Sequence, residues 1–388
     1  MKFVIAPDSF KESLTAAEAA LAIAEGLAES WPGAEMVLRP MSDGGEGLLD
    51  ALRGITGAET RSQVVQGPFG EPVAAVWGWQ PDSRTAFVEM AAASGLMLVP
   101  RQARDAGRAS SFGTGELVRA ALDAGAERIV LGIGGSASND GGAGLLRALG
   151  LVLADAEGAP LPQGGAALAA LDRLDASGLD PRLRGVQFDI AADVDNPLLG
   201  PNGASAVFGP QKGATPQEVE RLDAALRRYA EFCTRATGMD HRAYPGVGAA
   251  GGVGYAMKMF TRAVFRPGIE IVAEHAGLPE AVQGADWVFT GEGRLDRQTL
   301  GGKTIFGVTR IARAAGVPVI AFAGSLGDGY EAMYAHGLRA AFSLAPGPIT
   351  LDEAMRDAGT LLGARARDVG RLLLGGSAGG CLQTPDAE

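Results

Sequence analysis

Histidine and cysteine are scarce in this chain. Its 388 residues include three histidines, His241, His275 and His336, and two cysteines, Cys233 and Cys381. No two histidines stand at metal-ligand spacing, which argues against a zinc site. Nothing resembles a Ser-His-Asp arrangement either, and the histidines read as structural. The cysteines lie far apart, so no disulfide framework is expected and a reducing, cytoplasmic setting is. Long apolar runs are missing: the opening segment is too short for a signal-peptide core, and nothing later approaches a membrane span. Positive charge is in deficit, with a net charge of −11. That balance speaks against nucleic acid or an acidic membrane as partner. An anionic substrate would have to be captured locally, by a few Lys and Arg and by helix N-termini.

Apolar residues and glycine are plentiful. Hydrophobic residues make up 47% of the chain, enough for two cores, and 58 glycines collect in short clusters after apolar runs, as at strand ends of α/β proteins. The first segment alternates: a strand at Phe3–Ala6, a helix from Ala16 to Glu29 opened by a Thr15/Glu18 capping box, a strand at Met36–Arg39, and a helix from Gly45 to Arg53. The middle differs, with a hairpin of Val73–Trp79 and Thr85–Met90 around Pro81-Asp82-Ser83. It continues through strands at Arg128–Ile133 and Val186–Ala192 and a long helix at Pro216–Arg235, capped by Thr215 and Glu218. From Asp286 the alternation resumes, with strands at Trp287–Thr290, Val317–Ala321 and Ala341–Leu344 and helices at Thr304–Ala315 and Leu351–Leu362. The expected class is α/β: one Rossmann- or flavodoxin-like parallel sheet built from both chain ends (1–66 plus 285–374), a second mixed-sheet α/β domain inserted (67–284), and a disordered tail (375–388).

Four polar, glycine-bearing loops follow a strand and precede a helix: Pro7–Leu14, Pro40–Gly44, Gly134–Gly142 and Gly291–Gly302. Open parallel sheets bind ligands at that place. The third loop, I-G-G-S-A-S-N-D-G-G, can turn several N–H groups toward one anion at a helix start, with Asp140 suited to a metal that accompanies phosphate. The first offers Asp8, Ser9 and Lys11, a carboxylate, a hydroxyl and a compact cation, in what is otherwise a solvated turn. The second offers Asp43 and Glu46, either or both of which serve a helix N-terminus. The fourth carries Glu292 and Asp296, able to hold a metal or act as a base, and Arg294 and Lys303, able to neutralise phosphate. Its G-G-K-T ending imitates a P-loop, but Arg297 stands where the first P-loop glycine belongs. Asp193 and Asp195 follow a strand, and one of the two is expected to serve chemistry. Lys212 follows in F-G-P-Q-K-G-A, and the glycines of 245–254 admit a hinge, a phosphate loop or tight helix packing.

Together these segments resemble the bacterial glycerate kinase family. The resemblance rests on A-P-D-S-F-K-E-S-L (6–14), P-M-S-D-G-G-E-G (40–47), G-I-G-G-S-A-S-N-D-G-G-A-G (132–144), D-V-D-N-P-L-L-G (193–200), V-F-G-P-Q-K-G-A (207–214), P-G-V-G-A-A-G-G (245–252) and T-G-E-G-R-L-D (290–296). They run in order over nearly the whole chain. Departures are small: Asp195 and Ser138 stand where Thr is frequent, and Ile305 where Pro is. The resemblance implies ATP-dependent phosphorylation of D-glycerate, usually to 2-phosphoglycerate, in a cleft between two α/β domains.

Within those segments the roles are assigned on physical grounds. Asp193 is the expected base that accepts the hydroxyl proton in a Mg²⁺-assisted transfer, with Asp296 as runner-up. Lys11 and Arg294 hold the glycerate carboxylate or the transferring phosphoryl group, with Asp8, Ser9 and Asp43 as further substrate contacts. Gly134, Gly135, Ser136, Ser138, Asn139, Lys212, Glu292 and Lys303 are expected to hold the nucleotide, and Asp43 or Asp140 the metal. A kinase for another small hydroxy acid and a non-catalytic metabolite-binding regulator are the alternatives. Oligomeric state is not legible in the sequence.

Overall fold

The computed structural model describes residues 1–44, 47–301 and 303–377. Glu46 and the chain after Ser377, with most of the expected tail, lie outside the described residues. Two compact units form, Met1–Met41 with Ala276–Glu388, and Ser42–His275. Strands β1 (Lys2–Ile5) and β2 (Glu35–Leu38) lie in the first. The second contains β3 (Glu59–Gln66), β4 (Pro72–Gln80), β5 (Thr85–Glu89), β6 (Arg128–Gly132), β7 (Val152–Ala154), β8 (Arg173–Asp175), β9 (Gln187–Ala191) and β10 (Val264–Arg266). The chain then returns to the first unit with β11 (Trp287–Leu295), β12 (Val319–Leu326) and β13 (Leu338–Ser343).

The first unit's sheet runs β13-β12-β11-β1-β2 and is parallel throughout, a Rossmann/flavodoxin-like sheet drawn from both chain ends. Its strands are short apolar runs because helices cover the sheet faces. Phe3, Ile5, Phe289 and Phe322 form a core with Ile23 and Leu27 of helix Ala16–Ser30 and Leu362 of helix Ala358–Ser377. Helix Ala16–Ser30 begins where Thr15 and Glu18 close their capping box: the Glu18 N–H donates to Thr15 Oγ1 at 3.2 Å and the Thr15 N–H to Glu18 at 2.9 Å.

The second unit's main sheet runs β10-β9-β6-β5-β4-β3 and is mixed. Strands β5, β6, β9 and β10 are parallel, whereas β4 pairs antiparallel with both β5 and β3. A core that includes Val88, Ile129, Leu131, Phe188 and Ile190 surrounds the central strands.

Several boundaries differ from the sequence reading. The division between the units falls at 41/42 and 275/276, where 66/67 and 284/285 were expected. The reason is pairing: β3 holds an eight-residue register with β4, and helix Leu48–Thr56 packs on β4, β5 and helix Gly268–His275. Strand β11 continues through Leu295, because Gly291, Glu292, Arg294 and Leu295 pair with β12; the fourth loop is thus shorter than expected. The helix expected at Leu351–Leu362 is two, Leu351–Arg356 and Ala358–Ser377, so the helix takes in residues 375–377 that were read as tail.

The glycine-rich stretch 245–254 is tight packing. It enters helix Ala249–Phe260 through a kink in which Ala250, Gly251 and Gly252 have φ of 55°, 66° and 92°. A Cβ on Gly251 would stand 2.2 Å from the Ser138 carbonyl oxygen, and the Gly141 N–H donates to the Gly251 carbonyl at 2.9 Å. Replacing Gly251 by Ala therefore combines left-handed strain with a backbone clash. Equilibrium denaturation of Gly251→Ala is expected to show a lowered midpoint, corresponding to a loss on the order of 1–3 kcal/mol; an unchanged midpoint would mean that the kink relaxes freely.

Candidate active site

In the first unit every strand is parallel, so the loops after β1 and β11 leave the same edge of the sheet. The Asp8 N–H donates to the Gly291 carbonyl at 2.8 Å, and the Lys11 backbone nitrogen lies 3.7 Å from a Cβ built on Gly293. Asp8 accepts hydrogen bonds from the Ser9 N–H at 2.6 Å and from the Thr304 hydroxyl. Thr304 opens helix Thr304–Ala314, and Lys303 occupies its N-cap position. Glu292, Arg294 and Asp296 fall on alternate positions, hence one face, of extended chain. Glu292 is 6% exposed, and Thr299 donates to it at 2.7 Å. Burial pushes its carboxyl up to about 7; Asp8 and Asp296 add to the shift, while Thr299 and Lys303 oppose it. Arg294 is exposed and pairs with Asp296 at 3.0 Å. This edge thus assembles Asp8, Ser9, Glu292, Arg294, Asp296 and Lys303, with Lys11 exposed beside them.

In the second unit β5, β6, β9 and β10 likewise end at one edge, at Glu89, Gly132, Ala191 and Arg266. Asp193 follows β9 and accepts the Gly268 N–H at 3.1 Å. The approach is close: a Cβ on Gly268 would stand 1.8 Å from the Asp43 carbonyl oxygen. Asp193 keeps solvent-accessible surface, yet enough protein surrounds its carboxyl that partial desolvation raises its pKa to about 7. The Gly268 N–H opposes that shift; the Asp43 and Glu270 carboxylates add to it. Asp195 is exposed.

Glu89 escaped the sequence reading. It accepts the Leu48 N–H at 2.8 Å, at the start of helix Leu48–Thr56, and burial raises its carboxyl to about 7. No glycine or polar signal flanks it in T-A-F-V-E-M; only the fold brings a helix N-terminus to it.

The Gly134–Gly142 loop lies on the same edge and is braced from inside. Asp140, 1% exposed, accepts from the Ser111 N–H at 2.8 Å, the Ser111 hydroxyl at 2.9 Å, and the Gly142 and Gly144 N–H groups at 3.1 Å each. Its oxygens are spent on the loop and the following helix start, so the structure disfavours the expected metal role. Lys212, also 1% exposed, donates to Ser136 Oγ at 2.8 Å and to the Ser138 carbonyl at 2.7 Å. Its amine holds the loop's shape and does not face solvent, which revises its expected part as a nucleotide contact. Ser138 and Asn139 are likewise fully buried, and Asn139 donates to Ser205 Oγ at 2.9 Å. Gly134 and Gly135 remain accessible, half-buried and exposed respectively. Among the described residues no three His, Cys, Asp or Glu side chains group as metal ligands.

An α/β scaffold whose parallel strands deliver acidic, basic and glycine-bearing loops to their C-terminal edges is built to bind a small anionic ligand at those edges. Comparison with known proteins supplies the class. The sequence pattern of the glycerate kinase family matches residues 3–374. A glycerate kinase of Bacillus subtilis (strain 168) is 50% identical over 369 residues, covering 95% of this chain and 97% of that one. The glycerate 2-kinase of Escherichia coli (strain K12) is 49% identical over 358 residues, covering 92% and 94%. A crystal structure from Salmonella typhimurium LT2, provisionally designated glycerate kinase 2, superposes with a TM-score of 0.88 at 49% identity, over 97% of this chain and 99% of that one. The chain belongs to the glycerate kinase family and is an enzyme that phosphorylates an alcohol group. No described helix is long and apolar enough to cross a membrane.

Burial lowers the Lys212 pKa from 10.5 to about 7, with Asp140 opposing that shift. Between those values the unfolded chain binds more protons than the folded one, so this group's contribution to stability rises with pH. The stability of the wild type relative to Lys212→Met should therefore increase from pH 7 to pH 10 in paired denaturation curves. A difference that stays flat would show that Lys212 ionisation is not linked to folding.

Proposed function

We propose that the enzyme transfers the γ-phosphoryl group of ATP to the 2-hydroxyl of D-glycerate. In that step the hydroxyl oxygen bonds to the γ-phosphorus, the bond from that phosphorus to the bridging oxygen breaks, and ADP leaves. The hydroxyl proton passes to the Asp193 carboxylate. The observation that carries this reading is the place of Asp193: its exposed carboxylate follows β9 at the edge where the parallel strands of the second unit end, and partial desolvation pushes its pKa up to about 7, which suits it to accept a proton. The name of the Escherichia coli relative, glycerate 2-kinase, supports the 2-hydroxyl as acceptor.

The remaining roles follow from charge. Lys11 and Arg294 neutralise the glycerate carboxylate or the transferring phosphoryl group, with Asp8 and Ser9 as neighbouring polar contacts. The accessible backbone at Gly134 and Gly135 offers N–H groups to nucleotide phosphates, while Lys212 and Asp140 keep that loop in shape. Glu292 and Lys303 also serve the nucleotide. Asp296, tied to Arg294, is the second choice for the base. Asp43 fits a Mg²⁺ ion that arrives with the nucleotide, because Mg²⁺ takes one or two carboxylates plus phosphates and the crowded Asp43 and Asp193 charges favour a cation. Bound there, Mg²⁺ would neutralise phosphate charge. Cytoplasmic residence belongs to the same reading, supported by the buried free thiol of Cys233.

As the base, Asp193 must be ionised, so kcat/KM should rise with unit slope as pH climbs toward about 7 and then level off. Asp193→Asn should lower kcat by at least about a hundredfold, the lower end of general-base contributions, with ATP binding retained in a direct titration. Near-normal turnover in Asp193→Asn would remove the residue from that role.

A further inference from the structure

Strand β3 ends the second unit's main sheet, so one of its two backbone edges has no neighbouring strand. Sheet edges in folded proteins are shielded by shortness, charge, proline or bulges, because free N–H and C=O groups recruit other strands. The other edges of the two main sheets follow that rule. Strand β2 has four residues and β10 three, while β13 carries an exposed Arg339 and a register shift against β12. Strand β3 breaks it, with eight residues, no proline and an unbroken register along β4.

Which of its groups are free follows from the hairpin. The Gly67 N–H donates to the Glu71 carbonyl at 2.6 Å, and facing pairs in an antiparallel ladder alternate between bonded and unbonded. The odd-numbered residues of β3 therefore bond to β4, and the N–H and C=O groups of Thr60, Ser62 and Val64 point away from it. The Gln66 N–H points the same way and is already taken, donating to the Glu116 carboxylate at 2.7 Å. Among the described residues no hydrogen bond claims the backbone of the other three. Their side chains stand on the outer face, where Val64 is 71% exposed and Val76 of β4 is 40% exposed. That strip carries no charge. The strand's own Glu59 and Arg61 pair with each other at 3.2 Å, and the Arg61 guanidinium lies over the Trp77 and Trp79 rings.

A second copy of this chain complements the strip. Antiparallel pairing of β3 with its own copy, about a two-fold axis at Ser62, sets Ser62 opposite Ser62 and Thr60 opposite Val64. That register alone lets all three free residues of each copy exchange both backbone bonds. On the other face it sets Arg61 opposite Gln63 and Glu59 opposite Val65, so no like charges meet. A slip of two residues one way would set Arg61 against its own copy; the other way it would need the occupied Gln66 N–H. We propose that the enzyme is a two-fold dimer whose second-unit sheets join through β3. The inference is independent of which phosphoryl donor and acceptor the enzyme uses.

Sedimentation equilibrium of the purified enzyme tests this. The wild type should be a dimer at tens of micromolar. Ser62 is exposed, so Ser62→Lys and Ser62→Glu leave the subunit folded while each sets like charges opposite one another across the axis. Each variant alone should have its dimer dissociation constant raised at least about fivefold, the upper range for one cross-strand pair. An equimolar mixture of the two should regain the dimer, because Lys then faces Glu. A wild type that stays monomeric would overturn the inference and leave the edge to a strand of another protein. A dimer that both variants leave unchanged within twofold would overturn it as well, and so would a loss that mixing fails to repair.

Discussion

Parallel strand pairing is the constraint on which the rest of this molecule depends. A parallel register sends every strand the same way, so the segments that follow them emerge at one edge of each sheet. In the first unit that places Asp8 beside Glu292 and Asp296, which lie nearly 300 positions later in sequence. In the second it places Glu89, the Gly134–Gly142 loop, Asp193 and Gly268 along one edge. The antiparallel strands β3 and β4 extend the second sheet on the β5 side and take no part in that edge.

Charge at these edges is held under tension. Glu89 ends a parallel strand, Asp193 follows one and Glu292 lies near the end of one, and in each the first cause of a pKa near 7 is loss of water around the carboxyl. Hydrogen bonds from Leu48, Gly268 and Thr299 offset part of that cost without cancelling it. Asp140 is the contrast. It is buried more completely than Asp193, yet several donors surround it, and it acts as a brace. Availability for chemistry at these edges depends less on burial than on how many donors already claim the oxygens.

Much of the fold was legible in the sequence because helices cover the parallel strands, which makes those strands short apolar runs, and because Thr15 and Thr215 begin helices with unmistakable capping boxes. Strand β3 escaped because E-T-R-S-Q-V-V-Q is an edge strand, largely solvent-facing, with little apolar signal. The site was legible as segments and less so as roles. Residue type marked Lys212 and Asp140 as ligand-binding candidates, and only packing turns their side chains inward. Glu89 carried no local signal at all. The glycines of 245–254 allowed three readings until the positive φ values and the contact with Ser138 chose among them.

The central claim is a phosphoryl transfer from ATP to the 2-hydroxyl of glycerate. Phosphorus-31 NMR of the reaction of purified enzyme with ATP and D-glycerate tests it most directly. The account predicts ADP and 2-phosphoglycerate in equal amounts, with no ADP formed when glycerate is left out. Accumulation of 3-phosphoglycerate, or ADP release that does not depend on glycerate, would contradict it.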